Sequence, residues 1–192
     1  MKRLFWMVSA AVAVGALLTR AGKQQRALAS AGAGQAEEEA AFPADVPVGD
    51  DGAVLSMLVV LDEHQIAAAE MALNRPVRDE VQSLATMLRD EHQSDLDKNR
   101  ALLDELGVEP PQDGAFADVE GSFLKRRRQL SKVDDEQFQS NYIEDLIDEH
   151  ERFLALIDRS LLPAASDQRV AKRVRNARKH LTAHLAEARL LN

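Results

Sequence analysis

Three short stretches of mixed charge recur along this chain: LDEHQ at 61–65, RDEHQ at 89–93 and IDEHE at 147–151. Each sets two acids before a histidine, so the three are either a ligand set or solvated helix turns that spell alike. Neutral imidazole is a good transition-metal ligand, and the cores of helix bundles are where facing helices assemble such sites. His92 and His150 each stand where the apolar spacing of their segment calls for a core residue, and so does His184. His180 precedes His184 by four residues, and H-x-x-x-H on a helix brings both rings to one face, within reach of one ion. Carboxylates lie close by in sequence at Glu91, Asp95, Asp148, Glu149 and Glu187. The candidate metal ligands are therefore His92, His150, His184 and His180, and the cofactor they imply is a transition-metal ion: iron, zinc or copper. The competing reading is a polar core cluster, with each histidine hydrogen-bonded across the bundle and the adjacent acids turned to solvent.

Other chemistry finds little support. The Glu-x-x-His motif of di-iron bundles is absent, because the residues three before the stripe histidines are Arg89, Ile147 and Leu181. No Ser–His–Asp order or Gly-rich phosphate loop accompanies the histidines, so no catalytic residue is assigned and an enzyme is the least expected outcome. The first copy differs from the other two. Its surroundings, LSMLVVLDEHQIAAAEMAL, are apolar nearly all round, so either His64 or Gln65 can face inward.

Four long helical patterns must position these residues. The first runs from about 53 to 73 and breaks at Pro76; the second runs from about 77 to 106 and ends at Gly107 and two prolines. A loop then leads to a short helix around 118–130. The third pattern starts near Ser131 or Asp134, either of which can cap it, and stops at Pro163. The fourth begins after AASDQ and continues almost to Asn192. Val81, Leu84, Leu88, His92, Leu96 and Leu103 form one stripe at spacings of three and four. Phe138, Tyr142, Leu146, His150, Phe153, Ile157 and Leu161 form a second, and Val170, Val174, Ala177, Leu181, His184, Ala188 and Leu191 a third. Such stripes bury one another in an all-α antiparallel four-helix bundle over 53–192.

Composition agrees. Only 4% of residues are aromatic and 45% are hydrophobic, which suits helices better than sheets. The absence of cysteine removes thiol catalysis, zinc–thiolate sites and iron–sulfur clusters. Lys2, Arg3, Arg20, Lys23 and Arg26 are five of the 24 basic residues, which leaves 19 against 32 acids in the rest of the chain, a net of −13. That balance argues against nucleic acid as a partner. LKRRRQL at 124–130 and the series Arg169, Lys172, Arg173, Arg175, Arg178, Lys179 are local basic exceptions, read as solvated helix faces. The N-terminus joins a basic start to an apolar stretch from Leu4 to Leu18, which fits a secretory signal cleaved after Ala29 or an uncleaved inner-membrane anchor. Residues 1–29 are thus a signal peptide or anchor, and 30–52 a disordered, acidic, Pro/Gly-punctuated linker. Either reading exports the domain to the periplasm or cell envelope.

The segments HQIAAAEMAL, VQSLATMLRDEH, FQSNYIEDLIDEH and HLAEARLL resemble the domain-of-unknown-function 4142 family, exported bacterial proteins with a ferritin-like helical bundle. The resemblance spans about 53–191. His92, His150, His184, Phe138 and Tyr142 match the family pattern, whereas Gln65 stands where the family has Glu and Gln139 where it has Asp. Gln is a poor ligand for a hard metal, so the first departure weighs against a metal site using position 65. The resemblance implies fold and export. It leaves two functions open: a metal-binding exported bundle, or a non-catalytic envelope protein presenting helix surfaces to an envelope partner or anionic polymer.

Overall fold

Each described helix begins or ends where a side chain or a backbone turn can satisfy the free backbone groups. The computed structural model describes residues 48–108 and 114–192. Five helices carry these residues: α1 Asp51–Leu73, α2 Asp79–Leu106, α3 Gly114–Leu130, α4 Asp135–Leu156 and α5 Gln168–Leu191. Among the described residues there is no strand. Asp50 accepts from the Ala53 N–H at 2.8 Å, Asp134 from Gln137 at 3.0 Å and Asp167 from Arg169 at 2.7 Å, each quieting an orphan donor of the first turn. Gly107 ends α2 at φ +64°, a conformation that costs glycine nothing.

The boundaries depart from the sequence expectations in four places. Asp50 starts α1 at Asp51, inside the stretch that the sequence reads as linker. Tight packing holds that turn, since a Cβ on Gly52 would meet the Val108 Cβ at 3.2 Å. Arg78 is extended, at φ −66° and ψ 157°, so α2 starts at Asp79 rather than near 77. The short helix expected around 118–130 is a full helix of 17 residues whose Phe116, Val119 and Phe123 enter the core. At the end of α4 the chain does not stop at Pro163. It widens into a π-helical turn over Ile157–Leu161, with the Leu162 N–H donating to the Ile157 carbonyl, and runs on through Pro163 to Ala164. Five-residue bonding accommodates a proline whose ring would otherwise crowd the carbonyl four residues back. The segment read as signal or anchor (1–29), and the linker up to residue 47, lie outside the described residues.

Two apolar clusters fill the bundle, and a polar layer separates them. One holds Leu61, Leu102, Phe153 and Leu181, the other Ala68, Leu88, Leu146 and Ala188. Between these pairs lie His64 on α1, His92 on α2, His150 on α4 and His184 on α5, all buried. The order in which each helix visits the clusters gives the topology. α1 and α2 run antiparallel, α3 returns along the length of the bundle, and α4 and α5 run antiparallel. One full-length crossover joining two antiparallel pairs is the ferritin-like arrangement. α1 is the one described helix long and apolar enough to cross a membrane, and 72% of its apolar window is buried inside the fold.

Candidate metal centre

Three of the layer's four histidines converge on one point. His92, His150 and His184 come from three helices, with only 5%, 0% and 1% of their surfaces exposed. Their ring centroids are 5.2 Å (92–184), 5.6 Å (150–184) and 6.3 Å (92–150) apart. One ring nitrogen from each lies within 4.8 Å of the other two. An ion held at about 2.1 Å by tetrahedral bonds needs nitrogens about 3.5 Å apart, so the rings would have to close by up to roughly 1 Å to hold one.

Hydrogen bonds decide which nitrogen each ring keeps free. His92 donates from Nδ1 to Asp62 Oδ1 at 2.9 Å, His150 from Nδ1 to the Leu146 carbonyl at 2.9 Å, and His184 from Nε2 to Glu91 Oε2 at 2.9 Å. Each acceptor places the proton on the bonded nitrogen and leaves a lone pair on the other. Those other nitrogens, His92 Nε2, His150 Nε2 and His184 Nδ1, are buried and have no hydrogen-bond partner. Among the described residues only Ser56 and Tyr142 add further buried side-chain atoms of this kind. Native proteins pair almost all buried polar atoms, so three orphaned lone pairs in one layer are a costly arrangement unless a cation collects them.

Burial keeps the His150 and His184 rings neutral, the form a metal ligand requires. Burial pushes the His150 imidazole well below the ordinary histidine value, and the neighbouring His92 and His184 push the same way. Burial, then His92, takes His184 down to about 4 against the opposing pull of Glu91. Burial raises the Asp62 carboxyl above its usual range, in spite of its bond to His92.

An outer network holds this layer in place. Asn99 donates to Asp62 Oδ2 at 2.8 Å and accepts from Arg173 Nε at 2.7 Å. Arg173 also donates to Asp95 Oδ1 at 2.9 Å, and His180 Nδ1 donates to Asp95 Oδ2 at 2.7 Å. Burial works to raise the Asp95 pKa, but the bonds from Arg173 and His180 outweigh it and hold the carboxyl below its usual range. His180 therefore lies outside the trio. Its side chain is 35% exposed and its ring is 6.4 Å from that of His184.

On the other side of the layer, His64 and Gln65 both face inward. His64 Nε2 donates to Glu149 Oε1 at 2.8 Å, and Gln65 donates to Glu149 Oε2 at 3.1 Å. Arg127 donates to His64 Nδ1 at 2.9 Å, and Phe123 stacks on the His64 ring at 4.0 Å. Gln65 is therefore a donor to a carboxylate here, a role that Glu could not fill without protonation. The three DEH copies differ in which acid is buried: Asp62 in the first, neither in the second, where half-exposed Glu91 still bonds His184, and Glu149 in the third. Of the remaining nearby acids, Asp148 pairs with Arg126 and Arg152, and Glu187 is exposed. Asp62 and Asn99 went unnoticed in the sequence, where the first copy's DEH spelling was the one pointer to Asp62, and Arg173, read there as part of a solvated face, is instead mostly buried against Asn99 and Asp95.

A family model described as Domain of unknown function (DUF4142) matches residues 19–191. No curated protein matches the chain by sequence. Among solved structures, the chain is similar to a crystal structure of a DUF305 fragment from Deinococcus radiodurans, at a TM-score of 0.59 and 19% identity, over 76% of this chain and 97% of that one. At that identity the likeness concerns the fold alone.

Proposed function

The chain belongs to the DUF4142 family, and we propose that it is an exported helical bundle that sequesters one transition-metal ion between His92, His150 and His184. The observation that carries the proposal is the set of three buried ring nitrogens without partners, one on each of these residues. Their other nitrogens are oriented by Asp62, the Leu146 carbonyl and Glu91, which is the outer-shell support metal-ligating histidines use. A donor set of imidazoles without a carboxylate suits zinc or copper better than iron. At 5% exposure or less, the three rings hold the ion away from solvent and substrate, which favours binding and release over turnover. Export rests on the basic and apolar character of residues 1–29.

The test is equilibrium titration of metal-free, untagged protein with zinc and with copper(II), followed by elemental analysis after gel filtration. The reading expects one ion per chain, and none retained by His150→Leu. No retention of either ion by the unaltered protein would leave the second reading, a metal-free envelope protein. That alternative draws on Lys172, Arg175 and Lys179, which are exposed on α5 without an acidic partner and suit an anionic surface, while Arg169, Arg173 and Arg178 are paired with acids.

A further inference from the structure

A line of hydrogen bonds runs from α5 through the interior to the trio. Arg173 Nη2 donates to Asp95 Oδ1 at 2.9 Å and Arg173 Nε to Asn99 Oδ1 at 2.7 Å. Asn99 Nδ2 donates to Asp62 Oδ2 at 2.8 Å, and His92 Nδ1 reaches Asp62 Oδ1 at 2.9 Å. Asp62, His92, Asp95 and Asn99 are buried, and the Arg173 side chain is only 12% exposed. His92, Asp95 and Asn99 follow one another on α2 at spacings of three and four, so one helix face carries all three.

The direction of this line is dictated at its arginine end. A guanidinium has only N–H donors, so the Asn99 atom facing Arg173 must be the amide oxygen. The Asp95 carboxylate pins the guanidinium in that orientation. Asn99 then has only its NH2 to offer Asp62, which settles an assignment that shape alone leaves open for an amide. Asp62 accepts from Asn99 at one oxygen and from the imidazole at the other. His92 is thereby held with its proton on Nδ1 and its lone pair on Nε2, the buried atom without a partner. An amide of the same shape in place of Asp62 reverses the last link. Its oxygen must take the Asn99 NH2, so its own NH2 faces His92 Nδ1, and the ring must accept there and carry its proton on Nε2.

We propose that Arg173 and Asn99 are positioning residues for the trio: acting through Asp62, they fix the Nδ1–H tautomer of His92 and so make its Nε2 a ligand atom. In its bearing on metal, this rests on the binding reading given above. An imidazole protonated at Nε2 has no lone pair to give there. The direction of the line, and not only its presence, therefore decides whether His92 can join His150 and His184 around an ion.

The test reverses the line and then restores it. The full chain, metal-free and with isotope-labelled histidine, is compared as wild type, as Asp62→Asn, and as the exchange that joins Asp62→Asn to Asn99→Asp. In the exchange, the carboxylate at position 99 accepts from Arg173 and from the amide at position 62, whose oxygen again faces His92 Nδ1. Long-range proton–nitrogen NMR correlations report which nitrogen of His92 carries the proton, and chelator competition reports zinc affinity. The relay expects Nδ1–H in the wild type, and Nε2–H with zinc bound roughly 100-fold more weakly in Asp62→Asn. It expects the exchange to recover the Nδ1–H form and an affinity within roughly ten-fold of wild type. A merely structural role predicts the opposite order, with two changes worse than one. Nε2–H in the wild type, Nδ1–H kept by Asp62→Asn, or a folded exchange that keeps Nε2–H would each overturn the relay. The first two readings decide even where the exchange does not fold. The expected tautomers in a wild type that takes no zinc would overturn the metal-binding reading and leave the relay standing.

Discussion

At the scale of single residues, the three orphaned nitrogens predict that the trio members are unequal once metal is set aside. Replacing His92 by Leu strips the buried Asp62 of one of its two donors, at a cost of roughly 1–3 kcal/mol to the metal-free protein. His150→Leu strips nothing comparable, because the Leu146 carbonyl it bonds is already within the helix ladder. His184→Leu releases Glu91 to water, where it is 45% exposed. Urea melts of the three metal-free variants should rank His92→Leu as clearly the least stable, and equal losses in all three would contradict the assigned hydrogen bonds. The same residues set a pH dependence. His150 and His184 titrate below the ordinary 6.5 in the folded protein, the latter at about 4. Between those limits the unfolded chain binds more protons than the folded one, so stability rises with pH across the window. Acidification from 6.5 towards 4 should therefore weaken the metal-free bundle, and His150→Leu should flatten that slope. A denaturation series in this range, unchanged by the substitution, would speak against a buried neutral His150.

At the scale of elements, α3 is more than a connection. Phe123 is 2% exposed and covers the His64 ring, so Phe123→Ala should cost roughly 3–5 kcal/mol. The midpoint of chemical unfolding measures that cost, and a loss below about 1 kcal/mol would mean α3 is not part of the core. Removing the Asp134 cap with Ala should cost about 1 kcal/mol, seen as a lower Tm. The long stripes on α2, α4 and α5 were legible in the sequence because spacing alone defines a buried helix face, and His92, His150 and His184 stood on those stripes. α1 was harder to read, since an almost wholly apolar helix has no stripe to orient it and both His64 and Gln65 turned inward. Nor could spacing tell Asp62 and Glu149 from the solvent-facing acids beside them. A carboxylate turns inward only where another helix brings it a donor, here His92 with Asn99, and His64 with Gln65. The π turn before Pro163 escaped for a similar reason, because local rules place a helix stop at proline and the bundle's packing carried the helix through.

At the scale of the molecule, a polar layer bisects an otherwise apolar bundle, and four helices each contribute a histidine to it. Beyond residue 26 the chain carries 19 basic residues against 32 acids, a field that draws cations towards the protein. An ion that binds only the folded form must stabilise it, so zinc at one hundred times its dissociation constant should add about 2.7 kcal/mol. A thermal melt with zinc and then with excess chelator should show the Tm rise and return. The most direct measurement of the central claim is X-ray absorption at the zinc edge of the loaded, untagged protein. Three imidazole nitrogens at about 2.0–2.1 Å, with the outer-shell scattering of intact rings, is the predicted result, and the signal is lost in His150→Leu. A first shell of oxygen alone, or a spectrum that His150→Leu leaves unchanged, would contradict the assignment of the ion to His92, His150 and His184.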